Sequence, residues 1–181
     1  MAELLGEMSL LLDLPERPAD LAKRYHNKYA KQAARVMMEK HHAVNVPKHF
    51  KRGARQRYGY KPRNPRYVRS KQRRYHTGGL DLVKTSRSKR RMTTQFRLKV
   101  GGNAEQRTLT PVLILRWPFK GGTNKFKKHS HQAVTIQQMT KEMERFANDE
   151  PAMLAKWFLD EYMRLVDNHR SARQRKRFPV T

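Results

Sequence analysis

The chain has 181 residues, with 41 Lys or Arg against 15 Asp or Glu, and its formal net charge is +26. A chain this basic repels itself unless a polyanion or an acidic protein surface neutralises it, so we expect an assembly partner. The absence of cysteine excludes a disulfide framework and a thiolate metal site. No apolar run approaches the roughly 20 residues of a membrane-spanning helix, so we expect no membrane partner.

Residues 1–17 form an apolar segment that we expect to act as a docking element. Helical spacing predicts a helix over residues 1–14, which would pack on its own domain or in a groove of a neighbouring subunit. Glu3 and Glu7 stand where a signal peptide carries positive charge, so we expect no export. The docking stripe comprises Leu4, Leu5, Met8, Leu11 and Leu12.

Residues 18–42 predict the first long helix, because apolar residues from Leu21 to Val36 recur at helical spacing. His41 and His42 fall where this helix should end. We interpret them as cations that favour the negative end of the helix dipole, in preference to metal ligands.

Residues 46–91 form a basic arm, whose segment from Lys48 to Arg91 contains 17 Lys or Arg and one acid, Asp81. Its prolines and paired or single glycines disfavour a long helix. We therefore expect an extended arm that orders on a partner, with a short helix over residues 66–75.

The composition of the arm suits two kinds of partner, nucleic acid and protein, and does not decide between them. Arg and Lys neutralise phosphates while Tyr and Arg stack on bases, yet Arg and Tyr are also enriched at protein interfaces. Charge reversal at Arg55, Arg57 and Arg63 together is expected to abolish assembly and leave the isolated domain folded. The predicted contact residues are Arg55, Arg57, Tyr58, Tyr60, Arg63, Arg66, Tyr67, Arg69 and Lys71.

After the arm, alternation over residues 92–100 predicts a half-buried strand, and residues 108–117 predict a second one. Gly101, Gly102 and Asn103 supply turn residues between them, so the two strands should form an antiparallel hairpin. A basic loop over residues 118–134 follows. It contains His129 and His131, which lack a third ligand nearby.

Two helices should complete the domain, one from Thr135 and one from Pro151, each with suitable first-turn residues. Seven of the 15 acids lie between Glu142 and Asp167, so an acidic helical pair would follow a basic arm and could contact it head to tail between subunits. The predicted fold class is α+β: a small antiparallel sheet with an N-terminal helix, two C-terminal helices and the long basic extended arm. One domain would span residues 18–167, with a basic tail over residues 168–181.

Motifs for nucleotide binding, nucleophilic hydrolysis and metal binding do not occur in the chain. Paired acids such as Glu142 and Glu144 do not share a helix face, and Asp81 stands alone in the arm. We therefore expect no enzyme activity, no cofactor and no metal site.

Residues 46–166 contain a series of short segments whose order along the chain is informative. They are His49-Phe50, Ala54 to Tyr60, Arg63, Tyr67, Lys71, Tyr75, Leu82-Val83, Thr85 and the acidic TIQQMTKEMERFANDEPAMLAKWF. This order resembles that of tailed-phage neck, head–tail connector and tail-completion proteins, in which a similar basic arm precedes a small sheet and a helix-rich end, although Thr85-Ser86 stands where the family often has Thr-Gly.

This resemblance implies a structural virion protein, assembled in the host cytoplasm, that forms a homo-oligomeric ring at the head–tail junction. Portal or adaptor proteins and tail proteins would be its neighbours, and packaged DNA passing through the lumen would be a further partner. The alternative from composition is a ribosomal protein whose basic extension binds rRNA. A DNA-binding regulator ranks last, because the broken arm does not suit insertion into the major groove.

Overall fold

The structure, a computed structural model, describes residues 2–12, 14–76, 79–80, 86–121 and 141–177. It confirms the α+β class. The elements in chain order are β1 (Ala2–Ser9), α1 (Lys23–Val44), a 3-10 turn (Val46–Phe50), α2 (Ala54–Tyr58), α3 (Pro65–Tyr75), α4 (Ser86–Thr94), β2 (Phe96–Gly101), a second 3-10 turn (Ala104–Gln106), β3 (Thr110–Gly121) and α5 (Glu150–Arg177).

The three described strands form one sheet in the order β1-β3-β2, in which β2 and β3 make the predicted hairpin. The first predicted strand begins later than expected, because Met92 is fully buried at the end of α4. The Thr94 hydroxyl donates to the Arg90 carbonyl, four residues back, at 2.7 Å. Such a bond is typical of threonine in a helix and not of a strand.

The long N-terminal helix predicted over residues 18–42 is confirmed as α1. The short helix predicted over residues 1–14 is wrong, because Ala2–Ser9 is a strand at the sheet edge beside β3. The Leu10 amide donates to the Pro111 carbonyl at 3.4 Å just beyond it. A helix this short is marginal in water, whereas strand pairing satisfies its backbone groups along β3. Leu4, Leu5 and Met8 therefore lie on a strand, Leu11 is 82% exposed, and Leu12 is buried. Their docking role stays a prediction.

The described residues divide into two compact units where one domain was expected. The first unit takes its residues from 1–8, 40–97 and 113–150, and the second from 9–39, 98–112 and 151–181. In the second unit α1 packs along α5, where the Tyr162 hydroxyl hydrogen-bonds His26 Nδ1 at 2.7 Å. Asp20 also accepts from Arg170 at 3.0 Å.

The described residues of the basic arm are not extended, and this expectation is corrected for them. It forms the 3-10 turn and helices α2, α3 and α4, and its apolar side chains build the core of the first unit. Gly53 (φ +80°) and Gly59 (φ +61°) flank α2, while Pro65 occupies the first turn of α3. The glycines and the proline therefore mark the ends of short helices. Glycine adopts the positive φ found at helix ends, and proline suits the first turn of a helix.

The C-terminal half follows the prediction in outline. Residues 141–143 are helical, whereas the predicted start at Thr135 and the pair His129 and His131 lie outside the described residues. The second predicted helix is α5, which buries Leu154, Phe158 and Val166. It continues to Arg177, so most of the predicted tail is helical.

Candidate polyanion-binding surface

Arg57 of the basic arm is held within its own chain. Its guanidinium donates to both carboxylate oxygens of Asp149, at 2.8 and 2.7 Å, and lies 3.7 Å from Glu150. The hydrogen bond to Asp149 raises the pKa of Arg57, and the same bond lowers the pKa of Asp149. The pair is part-exposed, so it orients the side chains more than it stabilises the fold.

Arg63 forms a second intrachain ion pair, with Glu142, and this one is buried. The side chains are 11% and 3% exposed, respectively. Arg145 contacts the arm nearby, where it donates hydrogen bonds to the carbonyl oxygens of Gly59 and Tyr58 at the end of α2. Acids that were expected to meet the arm of a neighbouring subunit therefore neutralise Arg57 and Arg63 in the same chain.

Tyr58 and Tyr60 are buried around His49, and they are not available to stack on bases. The Tyr58 ring stacks on His49 with centroids 3.7 Å apart, and its hydroxyl donates to Glu150 Oε1 at 2.7 Å. A hydrogen bond joins the Tyr60 hydroxyl to His49 Nδ1. Burial raises the pKa of Tyr58 and lowers the pKa of His49 to about 3. These three side chains form a buried aromatic cluster within the arm.

His41 and His42 are also buried, which corrects their interpretation as helix-terminal cations. Burial lowers the pKa of His41 to about 4, so its ring is neutral at pH 7. His42 Nε2 donates to the Met92 carbonyl at 2.8 Å, and its ring stacks on Phe96. Both histidines therefore join α1 to its surroundings by packing and hydrogen bonding.

Helix α3 carries a cluster of exposed arginines of the arm. The Asn64 side chain caps it by accepting from the Arg66 amide at 2.9 Å. Lys71 is buried and donates to the Leu80 carbonyl, with its ammonium 5.8 Å from the centroid of the Tyr67 ring. An open cavity of about 340 Å³ lies against the remaining face, lined by Arg66, Arg69, Ser70, Arg73 and Arg74.

The nine predicted contact residues therefore separate into two groups. Arg55, Arg66, Tyr67 and Arg69 are exposed, whereas Arg57, Tyr58, Tyr60, Arg63 and Lys71 have the intrachain contacts described above. Sequence reasoning left out two residues of the α3 surface, Arg73 and Arg74. Their spacing from Arg66 and Arg69 on one helix face was the signal that could have identified them.

A second basic surface lies on α1, where Lys28, Lys31 and Arg35 border a cavity of about 560 Å³. Its walls differ from those of the α3 surface because Val36, Leu98 and Val100 contribute apolar area. Arg35 also has an acidic neighbour, with its Nε 3.4 Å from Glu39. The α1 surface is therefore less purely cationic than the α3 surface.

Comparison with protein-family models, curated proteins and solved structures finds no match to the chain. Among the residues described, no group of three or more His, Asp or Glu could hold a metal ion. No helix in the described part of the chain combines the length and the apolar character that crossing a membrane requires.

Proposed function

We propose that this protein is a non-catalytic structural protein of a tailed-phage virion, which assembles as a homo-oligomeric ring at the head–tail junction. Portal or adaptor proteins and tail proteins are its neighbours in this proposal. Its basic surface faces those subunits and the DNA that passes them. The sequence resemblance is the reason for proposing this family, and the contacts of the basic arm support the way in which the chain would be used.

The observation that carries the proposal is the folding of the basic arm onto acids of its own chain. Arg57 and Arg63 are neutralised by Asp149 and Glu142, which holds the part of the arm ahead of α3 against its own chain. The arginines of α3, which follow directly, remain exposed. A structural protein needs such a pre-ordered contact surface, because less conformational entropy is then lost on assembly.

An rRNA-binding ribosomal protein is the second candidate, and one observation favours it. The acids near the C-terminal helices would repel RNA if they were free. Because Glu142 and Asp149 are paired with Arg63 and Arg57 in the chain, that repulsion is reduced. The long α5, which ends in a basic stretch, would offer a second contact to the same polyanion.

Native mass measurement and negative-stain imaging of the purified full-length protein test the first candidate. We expect a discrete closed oligomer whose mass is an integral multiple of the 21.5 kDa chain, with ring-shaped particles in the images. A strict monomer over the whole concentration range would contradict the proposal. Co-sedimentation with ribosomes in high salt, at one copy per particle, would instead support the ribosomal candidate.

A further inference from the structure

We propose that the exposed arginine face of α3, formed by Arg66, Arg69, Arg73 and Arg74, binds the sugar–phosphate backbone of duplex DNA. Helix geometry brings these side chains together. At 100° per residue, Arg66, Arg69 and Arg73 fall within an arc of about 60°, and Arg74 adjoins them. With a rise of 1.5 Å per residue, the four Cα positions extend over roughly 12 Å of the helix axis.

Among the described residues, no carboxylate compensates the positive charge of this face. Within the described ranges, the carboxylates that lie within 4.0 Å of an arm arginine contact Arg57 and Arg63, and none contacts Arg66, Arg69, Arg73 or Arg74. Arg66 lies in the first turn of α3, near the positive end of the helix dipole, and that turn contains no acid to offset the two positive charges. A bound anion would relieve both the mutual repulsion of the guanidinium groups and this unfavourable position.

The chemistry of the face indicates phosphate as the anion. Guanidinium groups present paired N–H donors that match two phosphate oxygens, and they stay charged at every physiological pH. Ser70 lies among the arginines and adds a hydroxyl donor of the kind that commonly contacts DNA phosphates. Four such groups on one helix can neutralise successive phosphates without reading base sequence.

The structure favours a duplex over a single strand. Sequence-independent single-strand binding relies on aromatic platforms, yet Tyr58 and Tyr60 are buried, and neither of the exposed tyrosines of α3, Tyr67 and Tyr75, lines the arginine face. Helix α3 is also formed in the free chain, where the Asn64 side chain caps its first turn and Lys71 donates to the Leu80 carbonyl. Arginines on a preformed helix suit the regular phosphate array of a duplex, because the helix need not be ordered on binding.

The inference rests on the proposed function only for the source of the duplex, namely the DNA that crosses the head–tail junction. Binding of free duplex by purified protein does not require ring formation. A monomer that binds duplex through α3 would therefore contradict the proposed function and leave this inference intact. A ring that fails to bind duplex would contradict this inference and leave the proposed function intact.

The test is fluorescence anisotropy with a labelled mixed-sequence duplex of about 25 base pairs, titrated at several NaCl concentrations. The variant carries Arg66→Gln, Arg69→Gln, Arg73→Gln and Arg74→Gln. We expect its affinity at about 150 mM salt to fall on the order of 100-fold, and the slope of log K against log salt to become shallower by about 3. The same four positions changed to Lys should keep the wild-type slope to within about one.

The matched control removes the same amount of charge from exposed positions outside both basic surfaces, with Lys23→Gln, Arg24→Gln and Lys40→Gln on α1 and Lys99→Gln on β2. It should change the slope by less than about one, and thermal melting should show every variant folded. An unchanged slope in the α3 variant, or an equal loss in the control, would overturn the inference. So would an α3 effect on single-stranded DNA alone, or a wild-type protein that binds no duplex.

Discussion

Arginines of one basic segment have different roles in this protein, and their surroundings decide which. Arg63 is enclosed with Glu142, while Arg66, three positions later, is exposed on α3. Arg63 stays paired in the folded chain because moving it away would leave the buried Glu142 carboxylate without this partner, which costs free energy. No such cost holds Arg66, so its charge is available for intermolecular contact.

Charge reversal at Arg63 should destabilise the first unit. Arg63→Glu places a second carboxylate beside the buried Glu142, and breaking a buried pair in this way typically costs about 3–5 kcal/mol. Urea unfolding followed by circular dichroism would measure the loss. The swap Arg63→Glu with Glu142→Arg should recover part of it.

The control for this measurement is Arg55→Glu, on an exposed side chain, where the expected change is within about 0.5 kcal/mol. Equal stability of the two single variants would show that the ion pair does not support the fold. The expectation that reversal at Arg55, Arg57 and Arg63 leaves the domain folded is therefore revised. Two of those positions form intrachain ion pairs.

Among the elements, the β2–β3 hairpin depends on a single backbone conformation. Gly102 has φ +84°, and a Cβ built there would lie 1.8 Å from the Thr108 carbonyl oxygen. Any other residue must move the turn backbone as well as adopt a left-handed conformation. The hairpin holds β2 against β3, so a displaced turn should weaken the sheet.

Gly102→Ala should accordingly lower stability by roughly 2 kcal/mol or more, measured as a fall in the urea midpoint. Gly101→Ala is the matched control, because its Cβ would meet nothing closer than the Thr110 oxygen at 3.9 Å and its φ is not positive. A Gly102→Ala protein as stable as the control would contradict the strained-turn argument.

The basic arm was the element that sequence reasoning described least well. Its apolar residues Val46, Phe50, Ala54 and Tyr58 recur every four positions and are all buried. That periodicity was present in the sequence, but the density of cations and the glycines outweighed it in the prediction. The short helix over residues 66–75 was confirmed as α3, because Pro65 and Asn64 give it a recognisable start.

For the whole molecule, the same burial that orders the first unit makes it sensitive to acid. His41 and His49 are enclosed as neutral rings, and their pKa values are lowered from 6.5 to about 4 and about 3. Neighbouring basic groups lower these pKa values further, His42 and Lys48 in the case of His41, and His41 and Arg57 in the case of His49. The unfolded chain therefore takes up these protons at a higher pH than the folded chain does.

Stability should be full above about pH 6.5 and decline as the pH falls toward 4, by about 1.4 kcal/mol per unit for each histidine. Asp20 and Asp149, whose pKa values arginine contacts lower from 3.8, should add to the decline only at still lower pH. Urea midpoints measured from pH 8 to 4 would show this profile.

The histidine origin of this profile can be checked with His49→Gln, which should decline less steeply over the same range although it is less stable at pH 7. His76→Gln, at an exposed position, should keep the wild-type slope. A urea midpoint that does not change between pH 6.5 and 4 would contradict the argument.

The sequence by itself determined the α+β class, the hairpin, and the long helices α1 and α5, because local periodicity and turn residues are enough to specify such elements. Only the tertiary structure decided that the first residues form a strand. A short apolar segment is marginal as an isolated helix, so its conformation depends on the element beside it, here β3. It also decided which arginines are exposed. That choice depends on where Glu142, Asp149 and Glu150 lie in space, and neither spacing nor composition along the chain records those distances.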